Sequence, residues 1–268
     1  MRVLCLSKYS RQLSVDYRGL NLALRSLVNG SLFAEAVGVG QPRVLALHGW
    51  GRRGSDFSHS LAGIGALAMD LPGFGATPPP ESAIGARDYA RLLLPVLDEF
   101  NHPPLLVGHS FGGRVAVCMA AEHPDRIMGT LVTGAPLLRL ASGKNPPATY
   151  KLARLLNRYG VVPNTTFEAM KRKRGSADYR AATGVMRDIL VTVVNEEYRD
   201  ELSRIAGPIH FLWGADDREV PVAVAEESAA LVNESGGDAT IEVIEEVGHL
   251  LPVQDPDSLR NAVTRMLA

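Results

Sequence analysis

A chain of 268 residues, 46% of them hydrophobic, is long enough for one sizeable core, and α/β folds of this length commonly form one domain with an insertion. Its 28 basic and 29 acidic residues leave a formal charge of -1, so no long-range field favours nucleic acid or an anionic membrane as partner. No apolar stretch approaches the ~20 residues that span a bilayer, and Lys8 and Arg11 break the short apolar start, so the expected location is the cytoplasm.

In chain order, residues 1–30 mix charged and apolar positions. Tyr17, Leu20, Leu24, Leu27 and Val28 recur at helical spacing, which predicts an amphipathic N-terminal helical extension. An exposed apolar face on residues 13–28 would suggest self-association, but the sequence leaves the oligomeric state open. The two cysteines, Cys5 and Cys118, lie far apart, and no structural disulfide is expected. From Leu32 the pattern turns to short apolar runs bounded by turn residues: Leu32 to Val39, Val44 to Leu47, Ala66 to Met69, Leu105 to Val107, Ile127 to Val132, Ile209 to Trp213 and Thr240 to Ile244. These predict strands. Helix-length segments separate several of them: Ala86 to Phe100, Arg114 to Ala121, Ala223 to Val232 and Asp257 to Leu267. Alternating strands and helices imply parallel crossovers, hence an α/β, mostly parallel, doubly wound sheet with helices on both faces.

Residues 137–205 break this alternation and read as a helical cap inserted between two parts of the core, 31–136 and 206–268. Asn145-Pro146-Pro147 forms a stiff start and Gly207-Pro208 closes the excursion. Within it, Tyr150 to Tyr159, Phe167 to Arg174 and Tyr179 to Asn195 predict helices. Laid over the carboxyl ends of the strands, such a lid would shape a pocket and limit water.

The most informative motif is Gly108-His109-Ser110-Phe111-Gly112, a G-x-S-x-G that directly follows an apolar run and directly precedes a helix-like stretch. A serine hydroxyl is a weak nucleophile at neutral pH, so a chain that uses one must expose it on a tight turn within reach of a base. Gly108 and Gly112 meet the steric demand of that turn, and the amide of Phe111 then points where an oxyanion would form.

Three further motifs join the elbow: His48-Gly49-Trp50-Gly51 after a strand, Asp70-Leu71-Pro72-Gly73-Phe74-Gly75, and the pair Trp213-Gly214-Ala215-Asp216-Asp217 with Val220-Pro221, then Gly248-His249. On these motifs the chain resembles the serine-nucleophile branch of the α/β-hydrolase superfamily from about Leu32 to its C-terminus. The order nucleophile, acid, histidine is that of the superfamily. The resemblance implies Ser110 as nucleophile, His249 as general base and Asp217 as the carboxylate that orients it, with Asp216 the adjacent rival. It also implies an oxyanion hole from the backbone N–H groups of Trp50 and Phe111, with His48 and Gly49 holding that loop.

The implied chemistry is hydrolysis of a small or medium carboxylic ester through an acyl-enzyme, with water as second substrate. Superfamily members acting on alkyl halides or epoxides carry aspartate at the elbow, and Ser110 argues against both. The pairing of H-G-W-G with D-L-P-G-F-G is similar to bacterial esterases of pimeloyl-carrier-protein methyl ester, which have a different residue before the serine. C–C bond hydrolases of ring-cleavage diketones share the triad and a helical cap, and some members with a complete triad act as slow-turnover ligand receptors. Those two remain the alternatives. His109 is expected to pack structurally. His59, His102, His123 and His210 lack partners at metal-ligand spacing, so neither metal nor other cofactor is expected. Lys171-Arg172-Lys173-Arg174 reads as a solvated helix end, and Trp50 and Phe111 as pocket walls as well as amide donors.

Overall fold

Each short apolar run becomes a strand. A computed structural model describes residues 13–17, 20–140 and 177–268. Among these, β1 (Leu13–Tyr17), β2 (Leu20–Leu27), β3 (Leu32–Val37), β4 (Val44–Leu47), β5 (Ala66–Asp70), β6 (Leu105–His109), β7 (Gly129–Thr133), β8 (Pro208–Gly214) and β9 (Asp238–Ile244) form a single sheet. Its order is β1-β2-β3-β5-β4-β6-β7-β8-β9. The first three strands and β5 pair antiparallel, and every pair from β5 to β9 across the sheet is parallel. All seven strands expected from Leu32 onward are present, with ends within two residues of the expected ones.

The central parallel strands β4, β5, β6 and β7 are buried along their whole length because helices cover both faces. In β4, Leu45 and Leu47 join one apolar cluster with Leu67, Met69, Leu106 and Val132, under helices α1 (Ala86–Leu93) and α2 (Phe111–Glu122). Val44 and Ala46 point the other way and pack with Ala66, Ala68, Val107, Phe57 and Val263. The helix expected over Ala86 to Phe100 ends its α geometry at Leu93 and continues as a 3-10 segment, Leu94–Glu99. Pro95 explains the change, since it has no N–H for an α-type bond and its ring crowds the carbonyl one turn back.

The N-terminal helix is a correction. Instead, β1 and β2 pair antiparallel, from Leu13 opposite Leu24 to Tyr17 opposite Leu20. Leu20, Leu22 and Leu24 alternate with Asn21, Ala23 and Arg25, a period of two that competes with the helical spacing and prevails because β2 can pair with β3. The turn into β3 uses Asn29 at φ 57° and Gly30 at φ 91°. The sheet therefore starts well before residue 31.

The helices expected over Tyr150 to Tyr159 and Phe167 to Arg174, with the Asn145-Pro146-Pro147 segment and the basic run at 171–174, lie outside the described residues. The helix expected over Tyr179 to Asn195 is two helices, α3 (Ala177–Ala181) and α4 (Gly184–Val193), followed by α5 (Arg199–Leu202). Polar bonds fasten this stretch to the sheet's helices. Arg114 Nη1 of α2 donates to the Val193 carbonyl at 2.5 Å, Glu196 accepts from the Ala86 amide at 2.9 Å, and Arg87 forks onto buried Glu201 at 2.5 and 2.9 Å. After β8, α6 (Val222–Glu234) precedes β9, and α7 (Leu251–Gln254) and α8 (Pro256–Leu267) close the described chain. No described helix is long and apolar enough to cross a membrane.

Candidate active site

Strand β4 lies between β5 and β6, so the chain leaves it in one direction and returns on its other side. The crevice opened at such a reversal, at the carboxyl ends of parallel strands, is where α/β sheets bind ligands. The loop after β4 carries His48-Gly49-Trp50-Gly51, and the turn after β6 carries Ser110.

Ser110 has φ 51° and ψ −112°, a strained conformation for a residue with a side chain. Its surroundings hold it there. The Ser110 amide donates to the Thr133 carbonyl at 2.9 Å, and the Gly112 amide donates to the His48 carbonyl at 3.0 Å. Glycine is required on both sides: a Cβ on Gly108 would lie 2.6 Å from Gly113 Cα, and one on Gly112 would lie 2.1 Å from the Leu47 carbonyl oxygen. Among the described residues, the N–H groups of Trp50 and Phe111 donate to no other protein group. Both stand at the crevice where the β4 loop meets the first turn of α2.

His48 is fully buried and ties two loops together. Its Nδ1 bonds the Gly49 carbonyl at 2.7 Å and its Nε2 accepts from the Leu71 amide at 3.0 Å, so the proton sits on Nδ1. Burial holds its pKa down at about 4. Asp70 fixes the neighbouring turn by accepting from the Gly54 amide at 3.0 Å and the Ala76 amide at 2.8 Å.

From the far half of the sheet come the remaining groups. The His249 Nε2 lies 3.2 Å from Ser110 Oγ, and its Nδ1 lies 2.9 Å from Asp217 Oδ2. Asp217 is buried, and its other oxygen accepts from the Glu219 and Val220 amides at 2.9 and 2.8 Å. An ionised carboxylate only accepts, so Nδ1 carries the proton and the Nε2 lone pair faces the serine hydroxyl. Burial acts to lower the His249 pKa. The hydrogen bond to Asp217 and the charges of Asp217, Glu219 and Asp178 outweigh it, leaving the pKa above the ordinary 6.5. Asp216, the rival for this role, is exposed and does not meet His249.

His109 is buried with its ring centroid 5.0 Å from that of His249, packed as expected, and burial pushes its pKa down to about 3. Trp50, Phe74 and Phe111 stack edge to face, with centroids 5.0 and 5.5 Å apart, and form an aromatic wall beside the β4 loop. Met186 of α4 closes over Gly73, where an added Cβ would fall 2.2 Å from its sulfur. His210 sits elsewhere, bonded to Thr240 at 2.8 Å beside a surface cavity of about 530 Å³ at the amino ends of β8 and β9. One residue escaped sequence reasoning: Glu219, whose Oε2 is 3.6 Å from His249 Nε2.

Residues 44–262 match the alpha/beta hydrolase family. The chain is an alpha/beta hydrolase. This hydrolase is 25% identical, over 268 aligned residues, to a 2-hydroxy-6-oxononadienedioate/2-hydroxy-6-oxononatrienedioate hydrolase of Pseudomonas sp, with 90% of this chain and 93% of that one covered. It is 24% identical over 260 residues to a pimeloyl-(acyl-carrier protein) methyl ester esterase of Aliivibrio salmonicida, covering 88% and 96%. Among solved structures, an esterase from Exiguobacterium antarcticum superposes with a TM-score of 0.67 at 19% identity, covering 91% of this hydrolase and 99% of the esterase, a likeness of fold.

Proposed function

We propose that this hydrolase cleaves a small or medium carboxylic ester through an acyl-enzyme on Ser110. The observation that carries the reading is the unbroken hydrogen-bond chain from Ser110 Oγ through His249 to Asp217, at 3.2 and 2.9 Å, beside two backbone N–H groups that donate to none of the described residues. In acylation, Ser110 Oγ attacks the ester carbonyl while its proton passes to His249 Nε2. The carbonyl oxygen gains negative charge and takes hydrogen bonds from the Trp50 and Phe111 amides, which are already oriented and need not reorganise. The imidazolium, held by Asp217, then gives its proton to the departing alkoxide oxygen, and the alcohol leaves. In deacylation, water replaces the alcohol, His249 takes its proton, and the acid is released with Ser110 restored. The aromatic wall of Trp50, Phe74 and Phe111 suits an apolar acyl group. Among the described residues, α4 would form part of a cap, with Met186 over the Gly73 turn.

The second reading, C–C bond cleavage of a vinylogous diketone, is favoured by the Pseudomonas relative's name. A panel of short acyl p-nitrophenyl esters and ring-cleavage diketones, run against the wild type and Ser110→Ala, separates the two. The ester reading predicts faster ester turnover, lost on the order of a million-fold in the variant. Diketones cleaved better than any ester would overturn it.

A further inference from the structure

We propose that Glu219 selects substrates by the charge of their alcohol portion, favouring esters whose leaving group carries an ammonium and rejecting those whose leaving group carries an anion. The inference rests on the ester-hydrolase reading above and names the class of ester it takes. The geometry is direct. Leaving-group oxygen must come within hydrogen-bond distance of His249 Nε2 to receive its proton, and Glu219 Oε2 already stands 3.6 Å from that atom. A charged substituent two or three bonds along the alcohol therefore lies at most about 10 Å from the carboxylate, within roughly one Debye length at 0.1 M salt. The acyl side is occupied differently, by the Trp50 and Phe111 amides and their aromatic rings.

Glu219 is also tethered. Its own amide donates to Asp217 Oδ1 at 2.9 Å, so the backbone that carries it is fixed by the carboxylate that orients His249. Asp178 of α3 adds a second negative charge felt at His249. Arg52, after the β4 loop, is paired with Asp56, which takes both its Nε and Nη2 at 2.5 and 2.9 Å and balances most of its charge. Glu219 thus sets a carboxylate beside the atom that protonates the leaving group, while the Trp50, Phe74 and Phe111 rings form an apolar wall beside the β4 loop. A dicarboxylate, the kind of compound the Pseudomonas relative is named for, would meet this charge unfavourably if a carboxylate sat on the leaving-group side.

The test uses three acetate esters of similar size: that of 2-(trimethylammonio)ethanol, its neutral isostere from 3,3-dimethylbutanol, and the anionic ester of 2-hydroxyethanesulfonate. kcat/KM for each is measured in the wild type and in Glu219→Gln, and ratios to the neutral ester within each enzyme cancel any difference in folded fraction. Glu219 is 72% exposed, so the charge effect is partly screened, and the cation-to-neutral ratio should fall about five-fold in Glu219→Gln. The anion-to-neutral ratio should rise by about the same factor, and both shifts should shrink at 1 M salt. Equal ratios in the two enzymes, with the neutral ester hydrolysed by both, would overturn the charge selection while leaving the ester reading intact. Failure of the wild type to cleave any of the three, with Ser110 inert to a fluorophosphonate, would overturn both.

Discussion

Replacing Asp217 by asparagine isolates what the carboxylate does for His249. Asparagine keeps the shape, and its carbonyl oxygen can still accept from the Glu219 and Val220 amides now bound at 2.9 and 2.8 Å, so the loop should stay folded. Its amide nitrogen, however, would replace Oδ2, 2.9 Å from His249 Nδ1. An N–H there needs an acceptor, which drives the imidazole to the tautomer with its proton on Nε2. That nitrogen then donates toward Ser110 Oγ at 3.2 Å and has no lone pair to take the serine proton. In serine proteases the same change costs on the order of ten-thousand-fold in kcat, or about 5.4 kcal/mol of transition-state stabilisation. The assay is steady-state hydrolysis of a p-nitrophenyl ester, with thermal melting run alongside. The expected result is a kcat loss of that order with KM little changed and Tm within a few degrees. A loss under tenfold with Tm preserved would refute the claim that Asp217 sets the tautomer.

Three other outcomes follow from the same geometry. Because His249 must be neutral to act as base and its pKa lies above 6.5, activity should fall as pH drops through a midpoint above 6.5, and Glu219→Gln should move that midpoint down; a midpoint below 6.5 in the wild type contradicts the electrostatics. His48 and His109 are buried neutral with pKa values of about 4 and 3, so folding stability is full above about 6.5 and is lost as pH falls, by about 3 kcal/mol for each by pH 4. Urea midpoints measured from pH 7 to 4 should fall accordingly, and a flat profile would be inconsistent with two buried neutral histidines. Gly108→Ala forces a Cβ against backbone atoms at 2.6 and 2.7 Å and should cost about 1–3 kcal/mol of stability and slow fluorophosphonate labelling of Ser110; unchanged Tm and labelling would show that the elbow has slack.

The centre of the parallel sheet was legible because β4 to β7 are buried on both faces and read as short, mostly apolar runs between turns, as Val44–Leu47 does. The candidate site was legible for a related reason: the turn at Ser110 tolerates only glycine at 108 and 112, so the local pattern records a steric requirement. The β1–β2 pair was not, since Leu20, Leu24 and Leu27 recur at helical spacing while Leu20, Leu22 and Leu24 recur at strand spacing, and only pairing with β3 decides between them. Likewise, nothing in W-G-A-D-D-R-E-V-P distinguishes a solvated glutamate from one beside the imidazole. That proximity depends on the loop after β8 and the loop after β9 meeting across the strand ends, a contact between residues 219 and 249 that no local pattern encodes.

A covalent acyl-enzyme on Ser110 is tested most directly by trapping it. Wild-type protein mixed with excess p-nitrophenyl ester and quenched in acid during steady turnover should show, by peptide mapping and mass spectrometry, the acyl group on the peptide containing Ser110 and nowhere else. Turnover with Ser110 unmodified, or the acyl group found on another residue, would contradict it.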